Sequence, residues 1–591
     1  MNYGQKVKKQ QYREIWEEYC SFLDLSIEEY MEIQKRLLEE QISVWSASGL
    51  GQMFLKGRQP QTIEDFRRTV PLTTYGDYAD ILLAKKTDML PGEPVIWLQT
   101  TWEGGKHPVK VAPYTRSMLD VFRSNLMAIT TLSSSNETKK ARLKNGDKVL
   151  FGLAPLPFVT GLFPVVFEEE IDFKFLPPVK EAHSMSFGER NKKGFSLGMQ
   201  KGIDLFFGLS SVAFYITENF ASSFQGGASG GMLKKAVKMK PLMLYRFLKA
   251  KYQCAKEGRD IEPRDLFSLK SLVCAGTDTA SYKDALREAW GIDPLEIFAG
   301  TEVSIVGTET HSRNGMVFFP DSCFYEFIPE DEVYKSMDDP SYQPLTILMD
   351  ELVANQNYEL VVTVLKGGAF ARYRIGDMFR CVSTGGDKST NLPQLVFLDR
   401  VPWVIDIAGF TRITENSIED VIRLSGLSIK HWIAKKEYDT KRRPYLHIYV
   451  ELNPADLGRM AVSTQILKNL HIFRVGTESE LLIFHGFSLK TERKFLVENK
   501  QVSILHMGQH IVVSKCLNTG TVVGIQISFW KHYIAGSRCF VCAYIGIFRY
   551  LSGVFCHSGL VVPCIFRVRI RFLAGIILDT GISGKIRFLY F

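Results

Sequence analysis

Apolar positions in the first part of the chain recur at three- and four-residue steps. Trp16, Tyr19, Cys20 and Leu23, then Ile33, Leu37 and Leu38, stand among Glu and Lys, and this period predicts helix over residues 8–47. VPLTTYGDYADIL (70–82) reads as a turn and a capped helix start, with Thr74 or Asp77 as the N-cap. From about 93 to 420 the pattern changes. Short apolar runs (PVIWLQT, KVLFGLAP, LKSLVCAGT, PLEIFAGTE and YELVVTVL) are separated by helical stretches such as YKDALREAWG. Strand–helix alternation with Gly at strand ends predicts an α/β fold with mostly parallel sheets. Ligands in such folds sit at the carboxyl ends of the strands, so the loops directly after these runs are the ones to watch.

Near residue 400 a second unit begins. DVIRLSGLSIKHWIAKKEYDTKRRPYLHIYVELNP reads as helix, strand, charged turn, strand, which predicts a small α+β domain over 401–475 after a large domain over 1–400. QGGASGGM (225–232) reads as a hinge or loop inside the large domain. Residues 476–591 lack a sustained period and are expected to be a non-native or disordered tail.

Charge and cysteine sharpen that last boundary. The chain of 591 residues is 46% hydrophobic and 23% charged, ordinary for a globular protein of two to four domains. Its formal net charge of +8 hints at nucleic acid. Yet 499–591 alone hold ten Lys or Arg against one acid, Asp579, so the rest of the chain carries +8 − 9 = −1 and needs no polyanionic partner. Five of the ten cysteines also fall there: Cys516, Cys539, Cys542, Cys556 and Cys564. The other five are scattered, as in reduced cytoplasmic proteins. Three readings of the tail stand: translation in a wrong frame or past a lost stop, a membrane-associated extension, or a real domain. The seven-residue gap between Cys556 and Cys564 fits zinc poorly. No signal peptide is evident, and no uninterrupted apolar run before 499 is long enough to span a bilayer.

Five motifs carry candidate chemistry. Thr100-Thr101-Trp102-Glu103-Gly104-Gly105-Lys106-His107-Pro108-Val109-Lys110 follows a strand-like run; hydroxyls, a Gly pair and lysines there suit a polyphosphate, and a solvated basic loop is the plainer reading. Ala275-Gly276-Thr277 follows a second run and Gly300-Thr301-Glu302 a third. Glycine lets a ring or phosphate approach the backbone, Thr301 can donate to a phosphate, and Glu302 can hold Mg²⁺. In Arg372-Tyr373-Arg374-Ile375-Gly376-Asp377, Asp377 at a tight turn can accept both hydroxyls of a ribose; an ordinary turn aspartate is the alternative. Asp399-Arg400 is followed by Asp406-Ile407-Ala408-Gly409-Phe410-Thr411-Arg412-Ile413. Arg400 can pair with ribose or phosphate oxygens, or be an interdomain salt bridge.

Taken in order, these motifs resemble the adenylate-forming superfamily of acyl-CoA synthetases, nonribosomal peptide adenylation domains and luciferases. SerCysPheTyrGluPheIlePro (322–329), the Arg-Tyr-Arg-Ile-Gly-Asp run and PheArgArgThrValProLeuThrThrTyr (66–75) are most similar to the auxin-responsive Gretchen-Hagen-type family of acyl acid amido synthetases. The resemblance covers about 10–473. Gln99 and Trp102-Glu103 depart from the usual phosphate loop. The resemblance implies an N-terminal adenylation domain with a mobile C-terminal lid, and ATP and Mg²⁺ as cofactors. It implies a small carboxylic acid activated as an acyl-adenylate and an amino acid or coenzyme A as acceptor, without nucleic acid. Thr301 and Arg400 would act closest to the chemistry. Thr100, Thr101, Gly104, Gly105, Lys106, Ala275, Gly276, Thr277, Gly300, Asp377 and Arg400 would hold nucleotide, and Glu302 the metal. No Ser-His-Asp or Cys-His set is needed, since positioning and charge neutralisation carry such chemistry. Ser583-Gly584-Lys585-Ile586 superficially matches the superfamily's late lid lysine, but lies far beyond one small lid. The alternatives are a coenzyme A ligase of the phenylacetate type, a non-catalytic nucleotide-binding relative with a broken lid, and a membrane-attached protein should the tail be real. Two aromatic stretches, Phe151–Phe163 and Phe206–Phe214, are candidates for an acyl pocket or for plain core.

Overall fold

A computed structural model describes residues 1–401 except 101–108, 136–138, 222–238, Pro340 and Gly386, and beyond 401 a set of strand segments together with Ile418 and Arg442. The chain divides into two compact units, Met1–Val401 and Pro402–Phe591. Among the described residues no helix is long and apolar enough to cross a membrane.

The predicted N-terminal helical stretch is helix with interruptions: Tyr3–Lys8, Tyr12–Tyr19, a 3₁₀ turn at Ser21–Asp24 and Ile27–Ala47. The long helix restarts because Ser26 and Glu29 cap its first turn reciprocally, satisfying backbone donors that have no helical partner there. Thr74 and Asp77 form the same kind of box, Thr74 in the cap position.

All five apolar runs are strands. The first is Ile96–Gln99 (β1), which forms a hairpin with Val111–Tyr114 (β2). The others belong to one large sheet. Its parallel part contains Lys148–Gly152 (β3), Lys174–Leu176 (β4), Leu205–Leu209 (β5), Ser271–Ala275 (β6) and Leu295–Gly300 (β7). The sheet continues through antiparallel strands Ser304–Glu309 (β8), Met316–Phe318 (β9), Cys323–Pro329 (β10), Asn357–Val364 (β11), Tyr373–Ser383 (β12) and Gln394–Arg400 (β13). The whole order is β10-β11-β12-β13-β9-β8-β7-β6-β5-β3-β4. The fold is therefore α/β, and β7 is the seam at which parallel pairing gives way to hairpins. YKDALREAWG is the helix Thr279–Trp290, ended by Gly291 at φ +68°, a left-handed cap that glycine adopts without strain.

Continuous burial along β8 and β10 fits a sheet covered on both faces. Phe206 and Phe207 belong to that core, and Phe214 stacks on Tyr282 at 4.5 Å, so the second aromatic stretch is packing. The first stretch contributes Phe151, Pro155, Leu156 and Gly161 to a small apolar hollow, which His183 and Arg190 also line.

In the second unit, Ile429–Tyr438 and Pro444–Leu452 pair antiparallel, as the strand–charged turn–strand pattern predicts. They share a sheet with His510–Val512 and Val522–Phe529. The QGGASGGM hinge, Gly409, Phe410, Lys585, the helix expected before Ile429 and Cys539, Cys542, Cys556 and Cys564 lie outside the described residues.

Candidate active site

The Thr/Gly/Lys loop is the tip of the β1–β2 hairpin. Its feet are pinned: the Thr100 N–H donates to the Lys110 carbonyl at 2.9 Å, and the Lys110 N–H donates to Thr100 Oγ1 at 3.0 Å. Thr100 is buried, so its hydroxyl is held as part of the hairpin base. Thr101, Gly104, Gly105 and Lys106 lie outside the described residues.

Lys110 then reaches across to the loop after β7. Its Nζ donates to Glu302 Oε1 at 2.9 Å, and the Tyr373 hydroxyl donates to the same oxygen at 2.9 Å. Nζ also lies 3.4 Å from the Tyr373 hydroxyl and 5.7 Å from the centroid of the Tyr75 ring. The arrangement follows from local pairing. Thr73 bonds the backbone of Arg372 and Arg374 at 2.9 and 2.8 Å, which stitches the P-L-T-T turn to the start of β12 and sets Tyr373 beside Lys110. The Tyr75 hydroxyl accepts from the Val111 N–H at 2.6 Å and fixes β2 to the same turn.

Thr301 and Glu302 form the turn from β7 into β8, and both are buried. The Tyr114 hydroxyl donates to the Thr301 carbonyl at 2.9 Å, so the β1–β2 hairpin holds this turn twice, through backbone at Thr301 and, from Lys110, through the side chain of Glu302. Phe298 packs on Phe379 and Phe397 at 5.0 and 6.0 Å, joining β7 to β12 and β13.

The A-G-T loop leaves the parallel neighbour of β7. Gly276 has φ +123°, which L side chains rarely adopt, and its carbonyl accepts from the Thr279 hydroxyl at 2.7 Å, so the chain enters the next helix immediately after Thr277. Ala275, Gly276 and Thr277 are half-buried, and the loops after β6 and β7 leave the same edge of the sheet.

Asp377 differs from expectation. It sits within β12 at a bulge rather than at a tight turn: two additional residues of β12 are inserted opposite Glu359–Val361, with Gly376 at φ +82° absorbing the distortion. Asp377 is buried and faces Arg400 in register on β13, Oδ1 to Nε at 3.0 Å. Arg400 is thus paired within the first unit.

The two arginines of the R-Y-R-I-G-D run make structural ion pairs. Arg372, at φ +45°, grips Glu326 with Nε and Nη2, both at 3.0 Å, while Arg67 donates to Glu326 Oε1 at 3.1 Å. Burial pushes the Glu326 carboxyl up, but Arg372, Thr346 and Arg67 outweigh it and hold the group below its usual range. Arg374 pairs with Glu359 at 2.5 Å. One buried charge cluster therefore ties together the 66–75, 322–329 and 372–377 motifs. The sequence marks Lys110 only as one of the lysines suited to a polyphosphate and Tyr373 only as part of a motif; their convergence on Glu302 is visible in the structure alone.

Glu302 suits a magnesium ion in one respect. A Mg²⁺ that takes its remaining ligands from phosphates and water needs one or two carboxylates, and Glu302 offers a carboxylate already oriented through Oε1. Among the described residues no group of three His, Cys, Asp or Glu gathers to hold an ion by itself.

Residues 20–154 match the GH3 family N-terminal domain, and residues 316–400 match the GH3 family central domain. Among solved structures, the chain is similar to a GH3.15 acyl acid amido synthetase in complex with 2,4-DB, at 15% identity over 76% of this chain and 81% of that one, with a TM-score of 0.47. It is also similar to a 2-hydroxyisobutyryl-CoA ligase in complex with 2-HIB-AMP and CoA, at 16% identity over 76% and 84%, with a TM-score of 0.49. No curated protein matches the sequence. The two domain matches take in β1 and β2 with the Thr/Gly/Lys segment between them, β12 and β13, and the residues Lys110, Tyr373, Asp377 and Arg400. The chain thus carries two segments, 20–154 and 316–400, that match the GH3 family's N-terminal and central domains.

Proposed function

We propose that the chain activates a small carboxylic acid with ATP as an acyl-adenylate and passes the acyl group to an amine, an amino acid being the acceptor class. The observation that carries this reading is the meeting of Lys110, Glu302 and Tyr373 where the Thr/Gly/Lys hairpin crosses the end of β7. A polyphosphate needs donors and cationic charge at one place, and a carboxylate beside it for the metal that neutralises phosphate. Magnesium, when bound, would supply that neutralisation with Glu302 as its protein ligand.

This chain's own residues do the positioning. Thr100 and Lys110 pin the two ends of the segment that carries Thr101, Gly104, Gly105 and Lys106, the residues that would cradle the phosphates. Thr301 stands in the turn next to Glu302 and would donate to a phosphate. The half-buried loop Ala275–Thr277 offers backbone to a flat ring, since Gly276 has no side chain to block approach. Asp377 and Arg400 supply an acceptor and a donor set for ribose hydroxyls from adjacent strands.

The test is acid-dependent exchange of labelled pyrophosphate into ATP across a panel of carboxylic acids, followed by product analysis with amino acids or coenzyme A. Exchange with at least one acid and an amide product support the reading. A thioester product assigns the acceptor to coenzyme A, and ATP binding without exchange overturns adenylation.

A further inference from the structure

The helix Pro241–Glu257 lies outside everything described above. Its inner face is made of Met243, Phe247, Ala250 and Cys254, all buried. Its outer face is not polar, as a solvated helix face would be. Tyr245, Leu248 and Tyr252, spaced three and four residues apart, lie on successive turns and are 63%, 56% and 74% exposed, with Leu242 at 61% beside them. Large apolar side chains exposed singly need no explanation, but a strip along one helix marks an interaction face.

The charges around the strip have one sign. Lys249, Lys251 and Lys256 are exposed on the same helix. The helix Phe187–Lys201 packs against it and exposes Lys192, Lys193 and Lys201. None of these six makes an ion pair among the described residues. The acids on the two helices are Glu189 and Glu257. Glu189 caps Ser186, and Glu257 accepts from Arg259 at 2.7 Å. The first 498 residues carry a net charge near zero, so this is a local concentration and not a property of the whole domain.

The combination specifies the partner's chemistry. Tyrosine and leucine on the outermost ridge, flanked by lysines, fit the headgroup region of a bilayer, where rings sit at the interface and ammonium groups reach phosphates on long stems. A second copy of the same face would bring lysine against lysine, which disfavours self-pairing. We propose that the outer face of the Pro241–Glu257 helix docks this protein on an anionic phospholipid surface, with Tyr245, Leu248 and Tyr252 as the inserted residues and Lys249, Lys251 and Lys256 as their phosphate contacts.

The test is co-sedimentation of the full chain with vesicles of phosphatidylcholine alone and of phosphatidylcholine with phosphatidylserine. Two variants accompany the wild type: Y245S/L248S/Y252S and K249E/K251E/K256E. All six positions are exposed, so both variants should melt as the wild type does. The wild type should pellet with the phosphatidylserine vesicles, less so at high salt, and each variant should lose partitioning by about tenfold or more. No binding by the wild type overturns the proposal. Unchanged binding in both variants also overturns it and moves attachment elsewhere, the basic 499–591 segment included. So does a wild type that binds no vesicle but self-associates through the apolar strip.

Discussion

Lys110 and Glu302 stand 192 residues apart in sequence and form an ion pair of 2.9 Å in which neither side chain is more than 17% exposed. The pair links the foot of the β1–β2 hairpin to the turn after β7. A change at one residue is therefore felt at the other. Glu302→Gln should lower pyrophosphate exchange and raise the magnesium concentration needed for half-maximal exchange. Lys110→Met should leave the Glu302 carboxylate buried without its counter-charge and lower the melting temperature as well. Exchange that falls in Glu302→Gln with an unchanged magnesium dependence would assign Glu302 to structure alone.

Asp377→Asn removes one half of the buried Asp377–Arg400 pair. Breaking a buried ion pair from one side costs about 3–5 kcal/mol, so unfolding in urea should show a drop of that order. ATP affinity should fall about ten- to a hundred-fold if the same carboxylate holds the ribose. Calorimetry separates the two effects: a destabilised variant that binds ATP normally excludes the ribose role.

Glu326→Gln tests the cluster that joins three motifs. It leaves Arg372 facing a neutral group in a site where the carboxylate is 1% exposed. Breaking a buried pair from one side costs about 3–5 kcal/mol, so the variant should unfold at clearly lower denaturant. Glu326→Leu with Arg372→Met should recover part of that loss, because an apolar replacement removes both desolvated charges together.

A second buried cluster makes stability depend on pH. Lys283 donates to Glu296 at 2.7 Å and to Glu309 at 2.5 Å, so one lysine serves two carboxylates. Burial, and after it the repulsion of Glu296, push Glu309 from 4.5 up to about 7 against the pull of Lys283. Between those values the folded state binds more protons than the unfolded chain, so this group's contribution falls as pH rises through the window and levels off above 7. Lys283 is held above its ordinary 10.5 by the same two carboxylates, which outweigh burial, and so adds no slope there. Glu309→Gln should flatten the melting temperature against pH between 4.5 and 7. A slope equal to that of the wild type would show that Glu309 does not titrate in that range.

The strands and the order of the motifs were legible in the residues because both depend on local rules. Apolar runs such as LKSLVCAGT and PLEIFAGTE bury both faces in a sheet and end at glycine, so β6, β7 and the loops after them could be read directly. Thr74 and Ser26 follow cap chemistry that spans three residues. Pairing partners across the chain were not legible. Nothing near residue 377 signals that a two-residue bulge closes by Gly376 turns Asp377 inward against Arg400, because that depends on the register of β12 with β11 and β13. Nor does any local signal distinguish Arg372, buried on Glu326, from Tyr373, which turns to Glu302. Successive residues of a strand point to opposite faces, and only the packed sheet decides which face is the site and which the core.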